Sequence, residues 1–195
     1  MKVNYIQFKP IVESAGKSFF SLPDLKKFYP ASRENLLVLL SVWTKKNLIY
    51  HLGRGFYSFN LSQVDYLSLA NAIDPDSYIS FEYALSYYNL VDQVPSVITC
   101  ATKKRSRKIN MSNWTFEYTH LKNDLFFGYD LKNKIYLATP EKALADLLYL
   151  LARGKRSVDL ESLEKKKINQ KKLCEILTKF PKYTVKKAME LGILK

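Results

Sequence analysis

Two cysteines, two histidines and six glycines are all that 195 residues contain. Cys100 and Cys174 lie outside any CxxC or Cys/His spacing, which excludes a disulfide framework and a zinc site of known pattern and fits a reducing cytoplasm. His51 and His120 stand beside no residue that would make either a base or a metal ligand. The glycines fall at ends and turns, so none builds a phosphate-cradling loop, and no serine occupies a GxSxG elbow. Glu141 and Asp146 are five apart and do not share a helix face. The chain is therefore expected to be no enzyme and to need no metal or cofactor. No apolar run approaches the ~18–20 residues that span a bilayer, and MKVNYIQFKP has no apolar h-region, so neither membrane insertion nor secretion is expected. Acidic residues are the last shortage. Eighteen Asp and Glu face 31 Lys and Arg, a net charge of +13, which points to a polyanionic partner.

A hydrophobic content of 47% argues for a folded core and against disorder. The stretch around which the chain is organised is ASRENLLVLLSVWTKKNLIYHLGRGFYSFN, residues 31–60. Ser32 can cap a helix whose Leu36, Leu39, Leu40 and Trp43 recur at helical spacing, and Asn47 ends it. Leu48 to Leu52 and Gly55 to Phe59 are rich in β-formers, and Leu52-Gly53-Arg54-Gly55 supplies a tight turn with an arginine at its tip. A helix followed by a basic-tipped hairpin is the second half of a winged helix-turn-helix, in which the helix approaches a DNA groove and the wing reaches the backbone. Residues 2–15 supply a first helix, with Val3, Ile6, Phe8, Ile11 and Val12 as apolar positions. Ser18-Phe19-Phe20 is an extended link, and LPDLKKFY is a brief second helix with proline near its start. Residues 1–60 hold nine basic and three acidic residues against 22 and 15 in the remaining 135, so the first part is about twice as basic per residue.

Ser62 to Ile73 is expected as a connecting helix, and Asp74-Pro75-Asp76 as a breaker and domain boundary. Beyond it, Tyr78 to Ser80 is β-like and Phe81 to Leu90 helical. Strands are expected at Val97 to Thr102, Trp114 to His120, Phe126 to Tyr129 and Ile135 to Ala138. Thr139-Pro140-Glu141 is a strong helix start for EKALADLLYLLAR, which buries Ala143, Leu144, Leu147, Leu148 and Leu151. Lys-rich helices follow from about Leu160. The expected fold is α+β: a winged helix-turn-helix over 1–60, a connecting helix and linker over 61–75, and a mixed α/β domain over 76–195 with Lys-rich terminal helices.

Four segments in fixed order carry a family resemblance. LGRGFYSF, YISFEYALSYYNLVDQVPSVITCATKKRSRK, FEYTHL and IYLATPEKALADLLYL are together similar to the AbiEi antitoxin family, transcriptional regulators of type IV toxin–antitoxin, or abortive-infection, systems. The resemblance spans roughly Leu22 to Arg156 and is weakest over the Lys-rich end. It implies a winged helix that binds double-stranded promoter DNA and an α/β domain that carries antitoxicity in phage defence. It also implies a nucleotidyltransferase-like toxin whose effect is opposed with or without direct contact. Repression of its own operon, by a dimer or a cooperative assembly on the DNA, is the expected outcome.

Candidate DNA contacts are Ser32, Arg33 and Asn35 in the first turn of the third helix, where Arg33 suits guanine and Asn35 adenine. Glu34, Ser41 and Lys45 leave only a narrow polar seam on that helix, so contact is expected from its first turn and the wing. Arg54 at the tip and Lys45 and Lys46 add phosphate contacts, whereas Lys26 and Lys27 read as a solvated face. Fourteen Tyr and 11 Phe are mostly at core positions, with Tyr57 on the wing as the base-stacking candidate. Lys103, Lys104, Arg105, Arg107 and Lys108 form a dense basic loop between strands, and Arg153, Lys155 and Arg156 a second patch. Together they support the alternative of an RNA- or protein-binding antagonist with the winged helix as scaffold. Lys165 to Lys167, Lys171 and Lys172 read as solvated faces.

Overall fold

The computed structural model describes residues 4–30, 32–93, 95–111, 113–158 and 160–194. Val3, expected in the first helix, and Ala31 lie outside them. The fold is α+β, and the chain divides after Leu69 into two compact units.

In the first unit polar caps start the helices, and left-handed residues follow the ends of the first and third. Helix α1 (Tyr5–Glu13) opens at Asn4, whose side chain accepts from the Ile6 N–H at 3.1 Å, and it contains Pro10. It buries Phe8 and Val12, while Ile6 and Ile11 remain in solvent. Strand β1 (Phe20–Ser21) leads into α2 (Leu22–Lys27), which Ser21 and Asp24 close with a reciprocal capping box. Ser32 accepts from the Asn35 N–H at 3.2 Å to start α3 (Arg33–Lys45). That helix ends in a Schellman turn: Asn47 takes φ +54°, Leu48 N–H donates to the Trp43 carbonyl at 2.9 Å and Asn47 N–H to that of Thr44 at 3.0 Å.

Strands β2 (Tyr50–Gly53) and β3 (Phe56–Ser58) are shorter than the sequence indicates and pair antiparallel across a two-residue turn, Arg54-Gly55. Both turn residues have positive φ, +50° and +79°, as the hairpin turn that matches strand twist requires. Phe20, expected as the end of an extended link, and Ser21, expected at the opening of the second helix, pair with Tyr57 and Phe56, so the sheet order is β1-β3-β2. The core gathers Phe8, Val12, Phe20, Leu25, Leu36, Leu40, Trp43 and Ile49. Each large side chain so buried contributes about 1.5–3 kcal/mol before chain entropy is set against it.

Helix α4 (Tyr66–Ile73) contains the division between the units. The second unit is built on a six-stranded mixed sheet, order β6-β7-β5-β4-β9-β8, among the described residues. Its strands are β4 (Ser77–Ile79), β5 (Val97–Thr102), β6 (Arg107–Met111), β7 (Trp114–His120), β8 (Tyr129–Lys132) and β9 (Ile135–Ala138). The central pair β5–β4 is antiparallel, the pairs that flank it, β5–β7 and β4–β9, are parallel, and the outer pairs β6–β7 and β8–β9 are antiparallel. Strand β6 corrects the expectation of a loop through residue 108: Arg107 and Lys108 pair with Tyr118 and Glu117. Strand β8 begins at Tyr129, where the expected strand would have ended.

Helix α5 (Phe81–Tyr87) packs on β5 and on α6 (Pro140–Ala152), which also carries α7 (Gln170–Leu177) and α8 (Lys182–Glu190). Thr139 caps α6 and Pro140 occupies its first turn, as the sequence indicates. Every residue from Glu141 to Leu150 is buried. The expected break at Asp74-Pro75-Asp76 is a turn inside this unit, with Asp74 fully buried.

Candidate functional site

In the first unit, three cations from separate elements meet around one hollow of about 690 Å³: Lys26 from α2, Arg33 from the first turn of α3, and Arg54 from the hairpin turn. Leu22, Pro23 and Phe56 form its apolar floor, and among the described residues no carboxylate lines it. The local structure fixes this convergence. The Leu22 N–H donates to the Gly55 carbonyl at 2.8 Å, which ties the hairpin turn to the start of α2 and holds Arg54 over the hollow. Gly55 holds φ +79°, which side chains rarely adopt, so glycine permits the turn that presents this carbonyl.

Asp24 is occupied on the other side of α2. It accepts from Ser21 N–H and Oγ and from Lys17 Nζ at 3.0 Å, and it faces Lys27 at 3.8 Å. Burial works to raise its carboxyl, but the hydrogen bonds from Ser21 and Lys17 outweigh this and hold it below the usual range. Lys26 instead donates to the Tyr29 carbonyl at 3.0 Å and keeps its charge at the hollow. Sequence reasoning set Lys26 aside with Lys27. The signal that separates them is the capping acid, Asp24, three residues before Lys27 and on its face.

The remaining first-unit candidates scatter. Ser32 uses its hydroxyl on the Asn35 N–H, and Asn35 itself is exposed beside it. Lys45 and Lys46 are exposed at the far end of α3, roughly 18 Å along the helix axis from Arg33. Tyr57 is a correction. Its ring is 8% exposed, belongs to the core with Phe20 and Ile49, and lies 4.8 Å from the His51 ring, so it cannot present a face to a base. Burial raises its hydroxyl pKa. The outward face of α3 carries Glu34, Leu37, Val38, Ser41, Val42 and Lys45, with Val38 66% exposed and Leu37 and Val42 each 41%.

No family model matches this chain, and no characterised protein matches it in sequence. Among the described residues, no helix is long and apolar enough to cross a membrane and no group of His, Cys, Asp and Glu is placed to hold a metal ion.

Several of the second unit's candidate basic residues are engaged within the fold. Lys104 Nζ donates to Asp74 Oδ1 at 2.8 Å and lies 3.2 Å from Asp76, and Arg107 donates to Asp74 Oδ2 at 2.6 Å while stacking on Tyr118. Thr102 completes the cage of the buried Asp74 at 2.8 Å. Burial pushes the Asp74 carboxyl up, but these hydrogen bonds win and hold it below the ordinary carboxylate value. Lys103 lies over the Phe126 ring at 4.8 Å. Arg105 and Lys108 are exposed.

The second expected patch is divided in the same way. Arg156 bridges Glu82 at 3.2 Å and Glu117 at 2.5 Å, and is 15% exposed. Arg153 and Lys155 flank the Schellman turn that ends α6 at Gly154, where cations favour the negative end of the helix, and Arg153 bonds the Tyr149 hydroxyl at 2.9 Å. Among the terminal lysines, Lys165 caps the carbonyls of Leu191 and Gly192, and Lys167 that of Asn89.

Two further features of this unit stand apart from the basic runs, an acidic cavity and a buried ion pair. A cavity of about 720 Å³ bounded by Glu82 and Leu85 of α5, Leu147 of α6, Pro95 and Leu160 is also lined by Glu161 and, among the described residues, by no cation. Glu82 Oε2 is buried there without a hydrogen-bond partner, and burial raises the Glu82 carboxyl despite Arg156. Inside α6, fully buried Lys142 and Asp146 pair at i, i+4. Asp146 also accepts from Tyr78 at 2.9 Å and Ser80 at 2.8 Å, and Lys142 donates to the Tyr78 hydroxyl at 2.8 Å. Burial lowers the Lys142 pKa and raises that of Asp146. Gly128 makes room: a Cβ there would come within 3.1 Å of the Lys142 chain.

Proposed function

We propose that this chain is a DNA-binding transcriptional regulator of the AbiEi antitoxin type that it resembles. In this reading the first unit is a winged helix-turn-helix, with α3 laid against a groove and the β2–β3 hairpin as the wing. The single observation that carries it is the convergence of Lys26, Arg33 and Arg54 on a hollow without a carboxylate. Glu34 couples to Arg33 and Lys26 but, among the described residues, no carboxylate forms an ion pair with any of the three. Three positive charges against one acid leave a surplus to neutralise phosphates, and the counterions released from the duplex drive much of the binding. The regulator represses its own operon, and the second unit counteracts a nucleotidyltransferase-like toxin.

The alternative of an RNA- or protein-binding antagonist draws on the second unit's basic residues, and it is weakened because Lys104, Arg107 and Arg156 are already bonded to carboxylates. The test is fluorescence anisotropy of the full-length protein with the duplex upstream of its own coding sequence, against a scrambled duplex, at two salt concentrations. The expected result is preference for the native duplex with steep weakening in salt. Lys26→Ala, Arg33→Ala and Arg54→Ala should each lower the salt slope by about one. Three unchanged slopes would remove this reading.

A further inference from the structure

We infer that the outward face of α3 reads thymine methyl groups in the major groove, through Leu37, Val38 and Val42. The inference rests on the DNA-binding reading and adds what that reading lacks, a source of sequence preference. Scattered exposed apolar side chains need no explanation, but these three occupy consecutive turns of one helix face. The core is already satisfied by Leu36, Leu40 and Trp43 on the opposite face. Val38 and Val42 form an i, i+4 ridge, and Leu37 lies beside it toward the side where Arg33 lines the hollow.

Charge decides what lies under this face. Its first turn carries Glu34, whose carboxylate repels phosphates, so the ridge faces base edges while Lys26, Arg33 and Arg54 on one flank and Lys45 and Lys46 at the far end take the backbone. On the major-groove edge of a base pair the one apolar group is the C5 methyl of thymine, and the groups that suit a carboxylate are the amino groups of cytosine and adenine. Leu37 to Val42 spans roughly 7.5 Å of helix, about two base steps. The ridge therefore selects adjacent thymines, with an amino-bearing base under Glu34.

The experiment uses the full chain and its upstream duplex in two forms, one with thymine and one with deoxyuridine throughout, which differs only in lacking the methyl. Removing each covered methyl should weaken binding roughly fourfold, the equivalent of one buried apolar carbon. Val38→Ala and Val42→Ala should weaken binding to the thymine duplex and lose its advantage over the deoxyuridine duplex, with the salt slope unchanged. Equal affinity of the wild-type chain for both duplexes, with a normal salt slope, overturns the methyl readout and leaves the DNA-binding reading standing. Absence of salt-dependent duplex binding overturns both. If Val38→Ala dissociates an oligomer in sedimentation and leaves thymine preference intact, the face is an interface between copies and the inference fails.

Discussion

The two basic regions of this molecule differ in how their cations are used. Residues 103–108 place five positive charges in six residues, yet two of them are hydrogen-bonded to a single buried carboxylate, Asp74, and a third lies over a phenyl ring. Lys26, Arg33 and Arg54 form no run in the sequence, and they converge on one hollow where, among the described residues, none has a carboxylate within ion-pair distance. Density along the chain is thus a poor guide to field in space. A positive field needs cations that outnumber the acids around them: Asp24 is turned to Ser21, Lys17 and Lys27, which leaves Glu34 as the acid coupled to Lys26 and Arg33. Under the proposed DNA-binding reading one set of charges serves structure and the other binding, and substitutions can break that division.

The largest effect is expected where a cation is entirely inside. Asp146→Ala leaves Lys142 buried without its counter-charge and should cost about 3–5 kcal/mol, read by urea unfolding of the full chain. Replacing both, with Lys142→Met and Asp146→Leu, should recover most of that loss, because two well-packed apolar side chains carry no desolvation penalty. If the double variant is as unstable as the single one, the network does more than neutralise a buried charge.

Asp74→Ala comes next, at about 2–3 kcal/mol, smaller because Lys104 and Arg107 are partly exposed and can turn to water. The pH dependence has a definite sign. The folded-state pKa of Asp74 lies below its ordinary value of 3.8, so its contribution is fully present above that value and is lost as pH falls through the folded value. The stability gap between wild type and Asp74→Ala should therefore close on acidification below pH 3.8, followed by denaturant midpoints across an acid series. Duplex affinity at neutral pH should be unaffected wherever the variant remains folded. A loss of affinity would show that the basic run takes part in binding.

What could be read beforehand follows the range of the interactions. Local devices were legible: Ser32 as a cap, Asn47 as a helix end, Thr139-Pro140 as a helix start, and Arg54-Gly55 as a turn. Strand β1 was not, because two residues pair only through β3 some 36 positions later, and neither propensity nor alternation marks so short a strand. Strand β6 was hidden by its own charges. Ile109 and Met111 point inward, but the basic run before them reads as a loop. Tyr57 looked accessible because it belongs to the hairpin, and only sheet pairing shows that its side of β3 faces Phe20 and Ile49. Asp74 and the Lys26–Arg33–Arg54 hollow depend on residues about 20 to 30 positions apart, which no motif spacing records. Lys142 and Asp146 were within reach: opposite charges four apart on a helix otherwise apolar are a signal for a buried pair.

Arg54→Ala should weaken duplex binding about tenfold, near 1.4 kcal/mol, and lower the salt slope by about one while leaving thermal stability within about 0.5 kcal/mol. Arg54→Asn is the matched control, since asparagine accepts the left-handed backbone at φ +50° and keeps the turn without the charge. If both variants bind as wild type does, the hairpin is not a wing.

The smallest effect is expected from Arg105→Gln with Lys108→Gln, which removes exposed charges from the basic run while sparing the bonds to Asp74. Duplex affinity should then change by no more than about twofold, because neither residue lines the hollow to which the DNA-binding reading assigns the phosphates. The same variant is informative in a toxin-protection assay. Intact protection would leave the second unit's basic run with a structural role only. Lost protection with unchanged duplex affinity would assign Arg105 and Lys108 to a second polyanion or acidic partner and divide the two activities between the two units.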